Sequence, residues 1–291
     1  MRNIDEHTIT AAVLARIASA PDARLREVLG ALVTHLHDFA REVQLTEAEW
    51  KAGIDFLTAT GQTCSAVRQE FILLSDTLGL SMLTVAMNHS KPSGATEATV
   101  FGPFHADDAP RVDQGADIAG DAPGMPLFVD ARVQSLDGTP VPFAEVDVWQ
   151  ADDEGLYDLQ RGELGTRRRA RGVLQSDAQG RVRFRSLMPT PYPIPTDGPV
   201  DRMLVATGRH PWRPAHVHFM ISADGHERLV THLFRDPDPY LDSDVVFGVR
   251  SSLIGRFVEH AAGTTAPDGT RMTVPYATLE QTFVLAPAVS A

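Results

Sequence analysis

The sequence predicts an α+β protein in which an N-terminal helical domain precedes a β-sandwich. Over about the first ninety of the 291 residues, apolar side chains recur with a helical period. After a stretch rich in Pro, Gly and Ser at 91–110, they alternate instead with the period of two that strands show. We therefore expect a boundary near residue 100, with the helical domain over 1–100 and the β-sandwich over 101–291.

Three helices are expected in the N-terminal part. The first has an apolar face whose members recur at intervals of three and four residues: Leu25, Val28, Leu29, Leu32, Val33, Leu36, Phe39 and Val43. The second begins at Thr46, because Thr46 followed by Glu49 forms a capping box. This helix is expected to direct four apolar side chains inward: Trp50, Ile54, Phe56 and Leu57. The third runs from about Ser65 to Leu78.

Several short strands separated by turn residues are expected in the C-terminal part, which favours a sandwich. Their ranges are 127–133, 144–149, 180–185, 216–221, 229–234 and 282–285, and Asp137-Gly138 is typical of a turn between the first two. Seven prolines lie between Pro189 and Pro214, so we expect a rigid extended loop there rather than a regular element. Sites are often built on such loops.

Composition excludes several classes of protein. The chain has 26 Lys and Arg against 38 Asp and Glu, a net charge of −12, which disfavours binding to nucleic acid or to an anionic membrane. A single cysteine, Cys64, excludes an intramolecular disulfide, a thiolate zinc site and an iron–sulfur cluster. The first ten residues lack a signal peptide's apolar core, and the apolar stretch 77–87 is about half as long as the ~20 residues of a membrane span. A cytoplasmic protein without membrane insertion is expected.

The sharpest local motif is His216-Val217-His218. On a strand these two imidazoles project to the same side, which suits a metal ion, although a pair of exposed histidines is the alternative. With cysteine excluded, the other ligands would be a carboxylate, which would point to iron(II), or a phenolate. Tyr157 and Tyr192 lie in loops. Because a phenol has a pKa near 10, its ionisation at neutral pH requires a strong Lewis acid such as iron(III).

Six segments then stand in order along the chain: Leu74–Gly79, Gly102–His105, Asp147–Asp152, Pro191–Pro199, Gly208–Phe219 and Pro239–Asp244. Together they resemble the intradiol ring-cleavage dioxygenases, over about residues 20 to 260. The resemblance implies that the chain opens a catechol-type ring between its two adjacent hydroxyls, with both atoms of O₂ retained in the product. His232 stands where catechol-cleaving relatives carry a glutamine, which resembles the branch that cleaves hydroxyquinol to a hydroxymuconate or maleylacetate.

The resemblance also implies a ligand set and partners. An Fe(3+) ion would be held by Tyr157, Tyr192, His216 and His218, and Tyr192 would be the ligand that leaves. Arg213 would stabilise carbanion character on the ring, since a guanidinium stays protonated. His232 would act as a hydrogen-bonding group near the ligands. In relatives the helical region forms a homodimer and lines a tunnel that holds phospholipid, which implies the same partners here beside the aromatic diol or triol and O₂.

The resemblance places seven residues in the substrate pocket: Leu80, Leu83, Thr84, Val85, Gly102, Pro103 and Phe104. The family commonly has an aspartate in the segment where this chain reads Thr84-Val85, so the pocket is expected to be more apolar. Two alternatives remain at this level. One is a catechol or chlorocatechol 1,2-dioxygenase, and the other is a non-catalytic β-sandwich binding module with a structural zinc ion.

Overall fold

A computed structural model describes residues 2–65 and 67–288, and these residues contain six α-helices and eleven β-strands. The helices are α1 (Ile9–Ile17), α2 (Ala23–Glu42), α3 (Glu47–Thr63), α4 (Glu70–Thr77), α5 (Leu80–Asn88) and α6 (Pro199–Ala206). The strands are β1 (Pro126–Ser135), β2 (Glu145–Trp149), β3 (Arg171–Gln175), β4 (Arg181–Leu187), β5 (Tyr192–Pro193), β6 (Trp212–Arg213), β7 (His216–Ser222), β8 (Leu229–Arg235), β9 (Ile254–Gly255), β10 (Phe257–His260) and β11 (Tyr276–Leu285). The α+β prediction is confirmed.

The chain divides into two compact units, Met1–Ala59 and Thr60–Ala291. In the first unit, the Asp22 side chain caps α2 by accepting a hydrogen bond from Leu25 N at 3.0 Å. The capping box at the start of α3 is present, since Thr46 N donates to Glu49 Oε2 at 2.9 Å and Glu49 N donates to Thr46 Oγ1 at 3.3 Å.

The apolar face of α2 lies open to solvent. Six of its eight members are each about half exposed: Leu25, Val28, Leu32, Leu36, Phe39 and Val43. The prediction that α3 turns its apolar side chains inward is wrong for Trp50, Ile54 and Leu57, which are 57%, 41% and 46% exposed. The sequence periodicity correctly marks an apolar face but does not reveal whether the same chain covers it.

The helices differ from expectation in three places. The third helix begins at Glu70 rather than Ser65 and ends before Gly79, whose φ of +76° breaks the helical path before α5. The segment 189–214, expected to be wholly irregular, contains α6. This helix forms because Pro199 occupies its first turn, where a missing N–H is harmless, and the next proline is Pro211. Helix α1 was not anticipated.

Among the described residues, no single helix is long and apolar enough to cross a membrane. Helices α4 and α5 meet the length and composition criteria only when taken together, and they are bent by 77° at their junction.

Two large sheets form the core of the second unit, which also contains the two-stranded ladder of β5 and β6. One has the strand order β10-β11-β1-β4, with β1 and β11 parallel, and the other has the order β3-β2-β7-β8-β9. Phe219 of β7 contacts Phe184 of β4 and Phe283 of β11, at ring-centroid distances of 6.4 and 4.8 Å, so the sheets pack face to face. Val217 and Ile221 lie in the same buried cluster. Strand alternation therefore turns the other residues of β7 away from this core.

Candidate metal centre

The outer face of the five-stranded sheet carries three histidines. On β7, His216 and His218 alternate with the core residue Val217, and His232 of β8 stands directly opposite His218. All three are at most 2% exposed, because the loops after β2 and β4 cover this face. The expectation that the pair shares one side of a strand is confirmed.

The two tyrosines reach the histidines from separate loops. Tyr157 comes just before a 3₁₀ turn at Asp158–Gln160, and Tyr157 N donates a hydrogen bond to Gln160 Oε1 at 2.9 Å. Tyr192 lies on β5, which pairs with β6 so that Tyr192 stands opposite Arg213. This two-stranded ladder connects the ends of the proline-rich segment and brings Tyr192 and Arg213 to the same place.

Four donor atoms converge at the centre. Tyr157 Oη lies 3.0 Å from Tyr192 Oη and 2.9 Å from His218 Nε2. His216 Nε2 lies 3.4 Å from Tyr192 Oη and 3.2 Å from His218 Nε2. Metal–ligand bonds of about 2.0–2.1 Å place donors about 2.9 Å apart at right angles and about 3.4 Å apart in a tetrahedron. The four atoms therefore fit the coordination shell of one metal ion.

Burial sets the protonation of this donor set. It lowers the pKa of His216 and His218 well below 6.5, so both imidazoles are held neutral, as ligands must be. Burial also raises the pKa of Tyr157 well above 10, with the neighbouring Tyr192 adding to the rise, and raises the pKa of Tyr192. The phenols ionise only beside a strong positive charge, so the pocket suits a highly charged cation.

Hydrogen bonds and ring contacts orient the two imidazoles. His216 Nδ1 donates to the carbonyl of Pro214 at 2.7 Å, which leaves the lone pair of Nε2 facing the other donors. His218 Nδ1 has no hydrogen-bond partner among the described residues. Its ring instead stacks on Trp149 of β2 at 4.7 Å, and a Cβ placed on Gly102 would lie 3.1 Å from its Cε1 atom.

Arg213 and His232 border the donor atoms. Arg213 is buried, and its Nη1 lies 3.1 Å from His216 Nε2. The ring of His232 is 4.0 Å from that of His218 and 4.8 Å from that of His216, and the three imidazoles can offer nitrogens within 4.8 Å of one another. Burial lowers the pKa of His232 well below 6.5. The structure thus brings together the four residues expected to be metal ligands and the two, Arg213 and His232, expected to act beside them.

The seven candidate pocket residues separate into two groups. Pro103 and Phe104 line a cavity of about 540 Å³ with Leu156 and Pro193, the neighbours of the two tyrosines. Phe104 also stacks on the Tyr157 ring at 4.5 Å. The backbone of Gly102 lies against the ring of His218.

The other group lies on α5. Leu80 and Leu83 are 57% and 56% exposed, and Thr84 is exposed. Val85 lines another cavity, together with Lys91 and Arg250.

Several residues of the centre were missed. Asp158 and Arg171 form an ion pair in which each side chain is 1% exposed, and Arg171 Nη2 also donates to the carbonyl of Phe104 at 3.0 Å. Asp76 of α4 is buried, which raises the pKa of its carboxyl, while the nearby Arg213 opposes that rise. Asp244 contacts Arg213 directly. The partners are far apart in sequence, so local patterns could not have paired them.

Comparison with known proteins identifies the class. The family model described as "Dioxygenase" matches residues 100–284, and the one described as "Catechol dioxygenase N terminus" matches residues 22–96. The chain belongs to the intradiol ring-cleavage dioxygenases, oxidoreductases that open aromatic rings. This confirms the family resemblance, and a binding module without catalytic activity is excluded.

Individual relatives resemble the chain over nearly its whole length. It is 60% identical to the 6-chlorohydroxyquinol 1,2-dioxygenase of Cupriavidus pinatubonensis, over 91% of this chain and 95% of the relative. It is 50% identical to the hydroxyquinol 1,2-dioxygenase of Nocardioides simplex, over 97% and 96%. The solved structure of the hydroxyquinol 1,2-dioxygenase of Pseudomonas putida superimposes with a TM-score of 0.87 at 46% identity, covering 97% of this chain and 99% of that one.

Proposed function

We propose that the chain is a ferric intradiol dioxygenase that opens hydroxyquinol (benzene-1,2,4-triol) between its adjacent hydroxyls. The observation that carries the proposal is the convergence of two phenol oxygens and two imidazole nitrogens at 2.9–3.4 Å. Two phenolates offset much of the charge of a trivalent ion, whereas a structural zinc site would not need them. The product is a ring-opened hydroxymuconate or maleylacetate.

Each residue of the centre has its own role in the proposed reaction. Bound Fe(3+) supplies the Lewis acidity that lowers the pKa of the phenols and of the substrate hydroxyls. Tyr157, His216 and His218 would hold the ion throughout the reaction. Tyr192 would be the ligand that leaves, with its phenolate oxygen accepting one proton from the incoming diol. Arg213 Nη1 lies 3.1 Å from His216 Nε2, beside the donor atoms, where a fixed guanidinium would stabilise negative charge that develops on the substrate ring. The ring of Phe104 stacks on Tyr157 and that of Trp149 stacks on His218, so both exclude water from the centre.

Two features support hydroxyquinol over catechol or a chlorocatechol. Two relatives, at 60% and 50% identity, carry chlorohydroxyquinol and hydroxyquinol in their names. The centre also contains two buried polar groups, Asp76 and His232, that a third ring hydroxyl can meet. One well-placed polar contact is worth about 1–3 kcal/mol, so we expect at least roughly tenfold preference in kcat/KM for hydroxyquinol over catechol.

The pocket and partners form part of the same proposal. We propose that three residues on the side of Tyr157 contact the substrate: Gly102, Pro103 and Phe104. Four residues of α5 would border the path by which the substrate reaches the metal: Leu80, Leu83, Thr84 and Val85. A homodimer through the N-terminal helices is supported by the open apolar face of α2, and phospholipid at that interface is the proposed additional ligand. We further propose a cytoplasmic location and a boundary between domains near residue 100.

The deciding experiment combines metal analysis with turnover. Purified protein is expected to contain about one iron per chain and to show a visible tyrosinate-to-iron charge-transfer band. Steady-state assays with hydroxyquinol, catechol and chlorocatechols then rank the substrates. Zinc without a visible band would refute the ferric site. Turnover of catechol equal to that of hydroxyquinol would move the chain to the catechol branch.

A further inference from the structure

On the side that faces away from the proposed metal ligands, the guanidinium of Arg213 contacts the carboxylate of Asp244. Arg213 Nε donates to Asp244 Oδ1 at 3.1 Å, and Arg213 Nη2 donates to Asp244 Oδ2 at 3.3 Å. The two side chains are 5% and 2% exposed. Two parallel bonds fix the plane of a guanidinium as well as its position. The orientation of Arg213 is therefore set by a residue that the mechanism above does not use.

The bidentate contact leaves the remaining nitrogen, Nη1, directed at the reaction site. Nη1 lies 3.1 Å from His216 Nε2, and the ladder places Tyr192 opposite Arg213. Because the carboxylate of Asp244 offsets part of the positive charge of the guanidinium, which itself stays protonated, we expect the effect of Arg213 to depend strongly on the direction of its Nη1–H bonds. A small rotation of the guanidinium would then remove most of the benefit.

Asp244 is itself held rigidly by a turn. Its carboxylate accepts hydrogen bonds from Val246 N at 3.3 Å and from Gly248 N at 2.9 Å. Between them Phe247 has a φ of +59°, a left-handed conformation that costs backbone energy in a residue other than glycine. Thr99 Oγ1 donates to the carbonyl of Gly248 at 2.8 Å and fastens the turn from another segment. The strained turn persists because these contacts outweigh its cost.

We propose that Asp244 is the positioning residue for Arg213, and that the turn Asp244–Gly248 exists to hold this carboxylate in place. The inference rests on the proposed function, since it concerns the group that stabilises charge on the ring. Asp244 does not touch the donor atoms and acts through Arg213. A pair that only stabilised the fold would lower stability when broken, without a specific effect on the catalytic step.

The first test is a double-mutant cycle that uses Asp244→Asn and Arg213→Ala. Asparagine preserves the size of the side chain but turns an NH₂ group toward donors. We expect kcat on hydroxyquinol to fall about 100-fold in Asp244→Asn, with KM and iron per chain unchanged, because misplacement by about 1 Å has that effect. In the Arg213→Ala background the same change should alter kcat less than about twofold. Full kcat in Asp244→Asn, or multiplicative losses, would overturn the proposal.

The second test uses guanidinium ion as a probe. Added guanidinium should restore turnover of Arg213→Ala at least roughly tenfold more than turnover of the double variant, because only the former keeps the carboxylate that binds it. Equal rescue would overturn the proposal. Asp242→Asn is the matched control, since Asp242 lies in the same loop and is exposed. It should keep wild-type kcat, iron content and thermal midpoint.

A milder variant covers the case in which Asp244→Asn does not fold. A Cβ on Gly248 would lie 3.1 Å from Arg213 Nη2, from Asp244 Oδ2 and from Thr99 Oγ1, so Gly248→Ala is expected to displace the pair and the turn that holds it without removing a charge. We expect kcat to fall about tenfold, while Gly53→Ala, which meets open space, leaves it unchanged. Unchanged kcat in Gly248→Ala would refute the positioning role. An inactive wild-type enzyme would instead refute the proposed function.

Discussion

Replacing Gly102 with alanine tests whether the close approach of the backbone to His218 controls metal binding. Gly102 has a φ of +77°, and a Cβ there would lie 3.1 Å from His218 Cε1, closer than the about 3.5–4.0 Å of ordinary carbon contacts. The left-handed backbone costs a residue with a Cβ about 1–2 kcal/mol. The short contact adds a displacement of the imidazole by a few tenths of an ångström, and stacking on Trp149 restricts where the ring can go.

Gly138→Ala separates the two effects. Gly138 has a similar φ of +84°, but a Cβ there would meet nothing within 4 Å. Both variants should lose about 1–2 kcal/mol of unfolding free energy, which lowers the thermal midpoint by about 2–4 °C per kcal/mol. Only Gly102→Ala should also lose metal affinity, by about 10–100-fold, the usual effect of disturbing the support of a ligand. Metal retention against a chelator measures this, and equal retention in the two variants would refute the reasoning.

Three further predictions test the centre. His216→Ala should lose the metal, while Tyr192→Phe should retain part of it with an altered visible band; elemental analysis and absorption spectra distinguish these outcomes. Burial lowers the pKa of the three imidazoles well below 6.5, so below that pH the unfolded chain binds more protons than the folded one. The unfolding free energy of the metal-free protein should therefore fall as pH drops below 6.5, by up to about 4 kcal/mol per pH unit, as denaturant titrations can measure. Asp76→Asn should lower the ratio of hydroxyquinol to catechol turnover, whereas Asp242→Asn, at an exposed position, should leave that ratio unchanged in steady-state assays.

Sequence patterns predicted the elements whose signals are local. The helical period marked α2, the capping box marked the start of α3, and alternation marked the six strands named from the sequence. The His216-Val217-His218 motif gave the shared face of two ligands because strand geometry requires it. Helix α6 was missed because the density of prolines in the segment concealed a stretch of eleven residues without one, after Pro199.

The rest of the centre depends on tertiary contacts. Nothing near Asp244 in the sequence indicates that its carboxylate meets Arg213, and Asp158 meets Arg171 only because the loop folds back on β3. In the run of arginines at 167–171, Arg167 pairs with Asp121 and Arg168 with Asp108. Which partner each arginine takes is decided by the fold.

The ladder of β5 and β6 has a kinetic consequence for ligand exchange. Its hydrogen bonds restrain the backbone of Tyr192, and the backbone of Gly155 approaches so closely that a Cβ there would lie 2.7 Å from Tyr192 Cβ. Departure of the phenol from the metal is therefore expected to be a rotation about side-chain bonds, with no hinge or loop opening. Such a motion would leave the ladder in place, so ligand exchange would not have to wait for a hinge or a loop to open.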